Sequence, residues 1–355
     1  MSITRIYEWA HRTPTETAVV WNGRKVSYAR FAHGIEAARK AFLPLGLPAG
    51  STAVIFAKSL LEAWRASLAL RLLGVDTTAV ASLETARDLG LRNVSAVLVS
   101  EDLMEKSRLP VNPWPQAKWI RIPADSFQAG GLEEPPPLPA EDAPQGGHML
   151  YTSGTTGAYK KLLLSGDLNA RRDACPVESD DLEYNATWQT AFLGMWTYAG
   201  FVIPSIVWNT GGCSVIDQRV DWADHYFDQD ITYAVALPHM LEALLDPTRA
   251  APARKCRELL VGGGFISPTM ARKTLERLTD HLLIAYGASE LFVRPLASRY
   301  AEPDDLHWLA PVMDRIVEIV DDEDLPCPRG TEGHLRVALD PMDCQAYLDD
   351  PETTA

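Results

Sequence analysis

A loop rich in hydroxyl residues and glycine is the clearest place in this sequence where an anion could bind. It follows a short apolar strand, His148–Tyr151, and ends at a lysine. Glycine lets successive backbone N–H groups converge, hydroxyls add donors, and the lysine ammonium supplies positive charge. We therefore predict that a polyphosphate binds at Thr152, Ser153, Gly154, Thr155, Thr156, Gly157 and Lys160.

Two common glycine-containing loops do not fit this stretch. A Walker A loop needs glycine at the position of Tyr159, before a Lys-Ser/Thr pair. A nucleophile elbow, GxSxG, needs glycine at the position of Tyr151. The loop is therefore predicted to bind phosphate by some other arrangement.

A run of three glycines forms a second candidate segment. Gly262, Gly263 and Gly264 follow a predicted strand, Glu258–Val261, and precede Ser267-Pro268, a typical helix start. Without side chains, the backbone of such a turn can approach a flat base or a phosphate closely. Taken alone the turn is a weak signal, because many α/β turns have this composition.

A third segment places a hydroxyl and a carboxylate directly after a predicted strand. Its last residues are Ala285, Tyr286, Gly287, Ala288, Ser289 and Glu290. A hard cation such as Mg²⁺ prefers carboxylate oxygen, and one carboxylate with phosphates and waters is its usual environment. The Glu290 carboxylate would suit such an ion.

Together these segments resemble the signatures of the adenylate-forming superfamily, which includes acyl- and aryl-CoA ligases, peptide-synthetase adenylation domains and luciferases. The phosphate loop resembles YTSGTTGxPK, the glycine turn resembles GGAPLS, and the third segment resembles YGxTE. Tyr159 and Lys161 depart from the first pattern, where Pro and Gly are usual, and Gly264 and Phe265 replace Ala and Pro in the second. The resemblance continues to the end of the chain, where Tyr347–Ala355 is similar to the end of GYLNDPEATA.

The resemblance implies that a carboxylic acid attacks the α-phosphorus of ATP, giving an acyl-adenylate and pyrophosphate. CoA or a phosphopantetheine thiol, possibly on a carrier protein, would then accept the acyl group. By position, Lys160 would neutralise phosphate charge, Ser289 would contact the α-phosphate, and Glu290 would bind Mg²⁺. ATP would also lie along residues 152–157 and 262–264 and along Tyr286–Ser289, with Tyr286 stacked on adenine.

The acid pocket implied by the resemblance is formed by Trp196, Tyr198, Gly200, Gly264 and Ala285. Many relatives have FHxxG where this chain reads Trp196-Thr197-Tyr198-Ala199-Gly200. The two aromatic side chains favour an apolar or aryl acid.

Two alternatives remain open. An amino-acid adenylation domain needs an aspartate for the substrate amine, and Glu183 is the only acidic residue from Leu182 to Ile216, so this function ranks lower. A non-catalytic relative that binds a small aromatic metabolite is supported by the unusual Tyr159 and Lys161.

The elements that must position these residues alternate strands and helices, as in α/β proteins. Prolines between positions 104 and 147 predict a surface connection without helix or central strand. The other expected elements are strand Thr17–Trp21, turn Asn22-Gly23, helix Ser27–Phe42, strand Thr52–Phe56, a helix capped by Ser59 to about Leu73, strand Asp76–Val80, and strands Arg315–Val320 and Gly333–Val337.

We expect the fold class to be α/β, the layered α/β/α/β/α large domain of adenylate-forming enzymes. Its expected parts are a first α/β subdomain at 1–165 with the phosphate loop, a second at 166–300, and a small β-rich subdomain at 301–355. The family's C-terminal lid domain, with its lysine, is absent from this sequence. We interpret the chain as trimmed, with a naturally shortened relative as the alternative.

Composition limits the partners. The 355 residues carry a net charge of -14, which disfavours nucleic acid and anionic membranes, and no stretch approaches the ~18 apolar residues of a membrane span. The five cysteines are scattered, as expected for reduced thiols in a cytoplasmic protein. The sequence indicates neither which acid is used nor the oligomeric state.

Overall fold

The computed structural model describes residues 3–104, 113–122, 134–140, 145–153, 159–174, 186–190 and 193–354. The centre of the predicted phosphate loop, residues 154–158, therefore lies outside the described residues. None of the helices in the described ranges is long and apolar enough to cross a bilayer. Among the cysteines within them, Cys213, Cys256 and Cys327 are free thiols.

The described helices and strands alternate along most of the chain. The α-helices are α1 Ile3–Arg12, α2 Tyr28–Phe42, α3 Leu60–Arg71, α4 Leu83–Asp88, α5 Glu101–Met104, α6 Gly166–Ala174, α7 Tyr198–Asn209, α8 Pro238–Leu244, α9 Pro268–Arg277 and α10 Pro351–Thr354. Short 3₁₀ helices lie at Leu43–Leu45, Trp222–Asp224 and Pro303–Leu306.

The strands in the first two thirds of the chain are β1 Thr17–Trp21, β2 Arg24–Ser27, β3 Thr52–Phe56, β4 Asp76–Ala79, β5 Val94–Ser100, β6 Lys118–Ile122, β7 His148–Ser153, β8 Tyr159–Leu164, β9 Thr187–Gln189 and β10 Cys213–Ile216. Those in the last third are β11 Tyr233–Ala236, β12 Cys256–Val261, β13 Thr279–Tyr286, β14 Leu296–Arg299, β15 Ala310–Pro311, β16 Val317–Val320 and β17 His334–Val337. The expected α/β fold class is confirmed.

The chain forms two compact units, Met1–Trp222 with Ala346–Ala355, and Ala223–Gln345. These bounds differ from the three expected subdomains at 1–165, 166–300 and 301–355, and that division stays a prediction. The first unit takes up the last residues of the chain.

The first unit contains two groups of paired strands. One is a sheet in the order β6-β5-β3-β4-β7-β8, parallel except for β8, which runs antiparallel to β7. The other joins β9, β10 and β1 in parallel, with β2 antiparallel beside β1. Strand β1 therefore lies between β10 and β2, and its pairing with β10 was not predicted from the sequence.

Local signals predicted several element boundaries well. Asn22 and Gly23 both have positive φ, at 48° and 78°, as a two-residue hairpin turn requires. Ser27 caps α2 by accepting a hydrogen bond from the backbone N–H of Arg30 at 3.3 Å, and Ser59 caps α3 in the same way. These interactions lie within four residues of sequence, so the pattern contains the information needed to predict them.

The proline-rich connection contains one edge strand that the sequence analysis did not predict. Lys118–Ile122 forms β6, which pairs in parallel with β5. It is an edge strand, and the prolines at 115 and 123 flank it without entering it. Proline cannot donate a hydrogen bond to a neighbouring strand. A strand that lies between two prolines loses no inter-strand hydrogen bond for this reason.

The second unit has a sheet in which β11, β12 and β13 are parallel. Strand β14 runs antiparallel to β13, and β15 runs antiparallel to β14. A separate two-stranded antiparallel sheet, β16 with β17, lies within the expected β-rich part of the chain.

Candidate functional site

The glycine turn and the Tyr286–Glu290 segment are neighbours at one edge of the sheet in the second unit. Strands β12 and β13 run parallel, with Val261 opposite Ile284, so both segments leave the sheet at its carboxyl edge. A Cβ built on Gly262 would lie 3.4 Å from the carbonyl oxygen of Ala285. Two of the three predicted segments are therefore brought together by strand pairing.

The end of β11 also contacts the glycine turn, and sequence analysis missed it. A Cβ on Gly263 would lie 3.1 Å from Leu237 Cδ2, and one on Gly264 would lie 3.1 Å from Pro238 Cγ. Gly263 has a φ of 76°, a backbone conformation that residues other than glycine rarely adopt. The signal that could have revealed this contact is the apolar run Tyr233–Ala236, which ends just before a proline.

The residues from Tyr286 to Glu290 form an exposed strand end followed by a tight turn. Tyr286 is the last residue of β13, and its side chain is 45% exposed. The backbone N–H of Leu291 donates to the carbonyl of Ala288 at 3.1 Å, which closes the turn that carries Ser289 and Glu290. An exposed aromatic face beside glycine backbone suits a flat base.

Buried residues after Glu290 hold this turn in place. Leu291 and Phe292 are 6% and 7% exposed. The carbonyl of Glu290 accepts a hydrogen bond from the backbone N–H of Cys344 at 2.8 Å, and the N–H of Phe292 donates to the Asp343 carboxylate at 2.7 Å. Sequence analysis did not identify Asp343 as a neighbour of Glu290, because the two are more than fifty residues apart.

The donor set fits a Mg²⁺ ion that is held mainly by phosphates and water. Within the described residues there is no group of three or more His, Cys, Asp or Glu that could hold a metal by itself. A partly buried Glu290 beside a hydroxyl would supply one protein ligand, which is the common arrangement for Mg²⁺ with a nucleotide.

In the first unit, the phosphate loop connects the two antiparallel strands of a hairpin. Thr152 lies opposite Lys160 in the β7–β8 register, and Ser153 lies opposite Tyr159. Lys160, expected in the loop, therefore lies in β8, because the ladder extends to Tyr159. The loop residues between these strands, Gly154, Thr155, Thr156 and Gly157, lie outside the described residues.

Lys160 faces an aromatic ring. Its Nζ lies 5.0 Å from the ring centroid of Tyr347, within the range of a cation–π interaction. An ammonium that lies over one ring can still donate from its other N–H groups to an anion. Tyr347 is a second residue that sequence analysis did not assign to the site.

The two departures from the family pattern have structural contacts. The Tyr159 ring meets Tyr151 edge to face at 5.5 Å. Lys161 Nζ donates to the carbonyl of Leu89 at 3.0 Å and lies 3.7 Å from the Asp349 carboxylate. Tyr159 thus packs within the hairpin, and Lys161 ties the hairpin to the segments that carry Leu89 and Asp349.

Trp196, predicted to line the acid pocket, lies beside the same hairpin. Its ring stacks on Tyr151 with 6.4 Å between ring centroids, and its carbonyl accepts a hydrogen bond from the Tyr151 N–H at 3.1 Å. The predicted pocket residue Trp196 is therefore next to Thr152 in space.

The other predicted pocket residues of the first unit lie at the start of α7. Tyr198 is its first residue, and Thr197 accepts a hydrogen bond from the backbone N–H of Gly200 at 3.0 Å. A Cβ on Gly200 would lie 2.1 Å from the carbonyl oxygen of Gly194, so this position has a packing reason for glycine. Thr197, which stands where many relatives have histidine, is thus a helix cap here.

A buried histidine lies at the start of the strand that leads into the phosphate loop. His148 Nε2 bonds to the carbonyl of Met195 at 2.9 Å, so Nε2 must carry the proton, and Nδ1 accepts from the Thr77 hydroxyl at 2.8 Å. The ring also stacks on Phe201 at 3.9 Å. Burial, with a smaller contribution from the charge of Arg71, lowers the pKa of His148 to about 3. This histidine is a neutral structural group.

The predicted site residues thus form two sets, one in each compact unit. Thr152, Lys160 and Trp196 lie together in the first unit, and the glycine turn lies with Tyr286–Glu290 in the second. That the two sets share one ligand stays a prediction.

Comparison with known proteins identifies the family. The sequence matches the AMP-binding enzyme family over residues 6–340, and the chain belongs to this family. Human acyl-coenzyme A synthetase ACSM5, mitochondrial, is 30% identical over 230 residues, which cover 58% of this chain and 38% of that protein.

Solved structures show the same fold. O-succinylbenzoate coenzyme A synthetase (MenE) from Bacillus subtilis, in complex with ATP and magnesium ion, has a TM-score of 0.76 at 19% identity, covering 98% of this chain and 72% of that one. The nonribosomal peptide synthetase FmoA3 has a TM-score of 0.78 at 21% identity, covering 99% of this chain and 39% of that one. The chain spans less than half the length of the curated relatives it matches.

Proposed function

We propose that this protein takes part in ATP-dependent activation of a carboxylic acid as an acyl-adenylate, followed by transfer to a thiol of CoA or of a carrier protein. The observation that carries the proposal is the pairing of β12 with β13, which sets the glycine turn against Tyr286–Glu290 at one sheet edge. Membership of the AMP-binding enzyme family supports a nucleotide as the ligand of that edge.

Each set of residues has a role in this proposal. The Tyr286 ring and the glycine turn would hold the purine, Ser289 would donate to the α-phosphate, and Lys160 would bind the β- and γ-phosphates with the loop before it. A Mg²⁺ ion bound by Glu290 would neutralise phosphate charge as pyrophosphate leaves.

The bond changes need no side-chain nucleophile. An oxygen of the acid forms a bond to the α-phosphorus as the bond from that phosphorus to the pyrophosphate oxygen breaks. The protein's contribution is to hold the acid and ATP in line and to stabilise negative charge. In the second half-reaction a thiol sulfur attacks the acyl carbon and AMP leaves.

The acid is proposed to be apolar or aryl. The support is the aromatic character of the Trp196–Gly200 segment, where Trp196 stacks on Tyr151 beside the phosphate hairpin. An amino-acid substrate is the main alternative, since the fold is shared with a peptide synthetase.

The proposal is tested by nucleotide binding to this chain. Calorimetric titration with ATP, with and without Mg²⁺, should show binding that Mg²⁺ strengthens. Glu290→Gln keeps the side-chain shape but removes the charge, so the gain from Mg²⁺ should fall about ten-fold or more. Glu276→Gln, at an exposed position of α9, is the control and should behave as wild type.

Two outcomes would overturn the assignment. Absence of ATP binding would reject the nucleotide site and favour the non-catalytic alternative, in which an aromatic metabolite binds alone. Equal Mg²⁺ dependence in wild type and Glu290→Gln would reject the metal role.

Titration with adenosine sulfamates carrying aryl, fatty or aminoacyl groups then identifies the acid class. Tightest binding of an aminoacyl form would reject an apolar or aryl acid.

A further inference from the structure

The turn that carries Glu290 is held from behind by a buried ion pair. Asp343 is 1% exposed, and Arg315 Nη2 donates to its two carboxylate oxygens at 2.9 and 2.8 Å. The side chains of this pair are 8% and 0% exposed, for Arg315 and Asp343 respectively. A buried carboxylate requires such partners, because an uncompensated charge in the interior is costly.

The same carboxylate reaches the turn directly. Asp343 Oδ1 accepts the backbone N–H of Phe292 at 2.7 Å, and the next residue, Cys344, donates its N–H to the carbonyl of Glu290 at 2.8 Å. Residues 343 and 344 therefore bond to the backbone on both sides of Leu291. These two bonds leave little freedom for the peptide that carries the Glu290 side chain.

A local turn fixes Asp343 itself. Its second oxygen accepts the N–H of Asp340 at 2.8 Å, and its own N–H donates to the carbonyl of Asp340 at 2.9 Å. Gln345 Nε2 donates to the same Asp340 carbonyl at 2.8 Å. The carboxylate is thus saturated with donors from three separate segments and has a defined position.

We propose that Asp343, with Arg315, is a positioning residue that sets the orientation of Glu290 toward the metal of a Mg–nucleotide complex. This inference rests on the proposed function, since it takes Glu290 as the metal ligand. Groups that orient a metal ligand typically contribute about 10- to 100-fold to metal affinity. Asp343 would act through the backbone of residues 290–292 without touching the ion.

The test compares the Mg²⁺ dependence of ATP binding in variants of this chain. In Asp343→Ala the Phe292 N–H loses its acceptor, so the Mg²⁺ concentration for half-maximal enhancement of ATP binding should rise about ten-fold. Asp343→Asn keeps an oxygen for Phe292 but places an amide toward Arg315, so a smaller rise is expected. Binding of ATP without Mg²⁺ should change little in either variant.

Two further measurements separate positioning from general stability. Amide hydrogen exchange should show faster exchange at Leu291 and Phe292 in Asp343→Ala. Glu258→Gln, which breaks a carboxylate–arginine pair between β12 and β14 in the same unit, is the matched control and should leave the Mg²⁺ dependence unchanged. A purely structural role for Asp343 would lower the melting temperature of its variants with no shift in half-saturating Mg²⁺.

The outcomes distinguish this inference from the proposed function. If Glu290→Gln shifts the Mg²⁺ dependence and the folded Asp343 variants match wild type, the positioning role is rejected and the metal role stands. If Glu290→Gln also matches wild type, both are rejected. If Asp343→Ala does not fold, the test uses Asp343→Asn and Arg315→Lys. Wild-type Mg²⁺ dependence of ATP binding in both variants then overturns the inference.

Discussion

His148 is fully buried, and its hydrogen bonds require the neutral ring. Its pKa is lowered from 6.5 to about 3 by burial, so below pH 6.5 the unfolded chain binds a proton that the folded chain does not. The stability that depends on neutral His148 is therefore complete above pH 6.5 and is lost as pH falls toward 3. The first strand of the phosphate hairpin is thus sensitive to acid.

We predict that between pH 7 and pH 5 this one group lowers the free energy of unfolding by about 2 kcal/mol. His148→Gln keeps hydrogen-bonding groups but cannot titrate, so its stability should depend less on pH by that amount. Urea denaturation of both proteins at the two pH values measures the difference. Equal pH dependence in wild type and His148→Gln would contradict the prediction.

The Tyr347 ring lies against the Lys160 ammonium. Removing the ring in Tyr347→Leu should release this ammonium and reduce ATP affinity about two- to five-fold, since a cation–π contact of this kind contributes about 0.5–1 kcal/mol. Tyr347→Phe retains the ring and should bind ATP as wild type does. Calorimetry with ATP and saturating Mg²⁺ makes the comparison, and unchanged affinity in Tyr347→Leu would show that Lys160 needs no such support.

At the scale of elements, the last segment of the chain is anchored on the phosphate hairpin. The N–H of Leu348 donates to the carbonyl of Lys161 in β8 at 2.8 Å, and the Lys161 side chain reaches Leu89 and Asp349. Lys161 is only 12% exposed, although a lysine on an edge strand is usually solvated. Its charge therefore has a structural use here.

Lys161→Met retains the aliphatic stem and removes the ammonium. We expect a loss of about 1–2 kcal/mol in the free energy of unfolding and faster amide exchange in residues 346–354, because two partly buried partners are left without their donor. Lys25→Met, at an exposed position of β2, is the control and should change stability by less than about 0.5 kcal/mol. Wild-type exchange rates in residues 346–354 of Lys161→Met would show that the backbone hydrogen bond from Leu348 to Lys161 anchors this segment without the ammonium.

Helix starts and tight turns were the elements that sequence predicted best. Ser267 caps α9 by accepting the N–H of Met270 at 3.2 Å, and Pro268 is the first helical residue, both as expected. In contrast, the pairing of β1 with β10 was not predicted, and β6 was missed. Caps depend on residues three positions apart, whereas β1 and β10 are separated by nearly two hundred residues.

At the scale of the whole molecule, the family assignment rests on residues 6–340, and solved relatives share the fold over nearly the entire chain. The chain nevertheless spans 72% of one such structure and 39% of another. Thioester formation, the choice of acid and any carrier-protein partner are therefore proposals about this chain.

The sequence by itself determined the family, the α/β class, the helix caps and the identity of the three candidate segments. These features depend on residue types at short, regular spacings, such as glycines at a strand end or a hydroxyl three residues before a helical N–H. The roles of Asp343, Arg315 and Tyr347 could not be predicted in the same way. They depend on contacts between segments that are far apart in sequence, and only the tertiary structure brings Asp343 to the backbone of Phe292 and Tyr347 to the ammonium of Lys160.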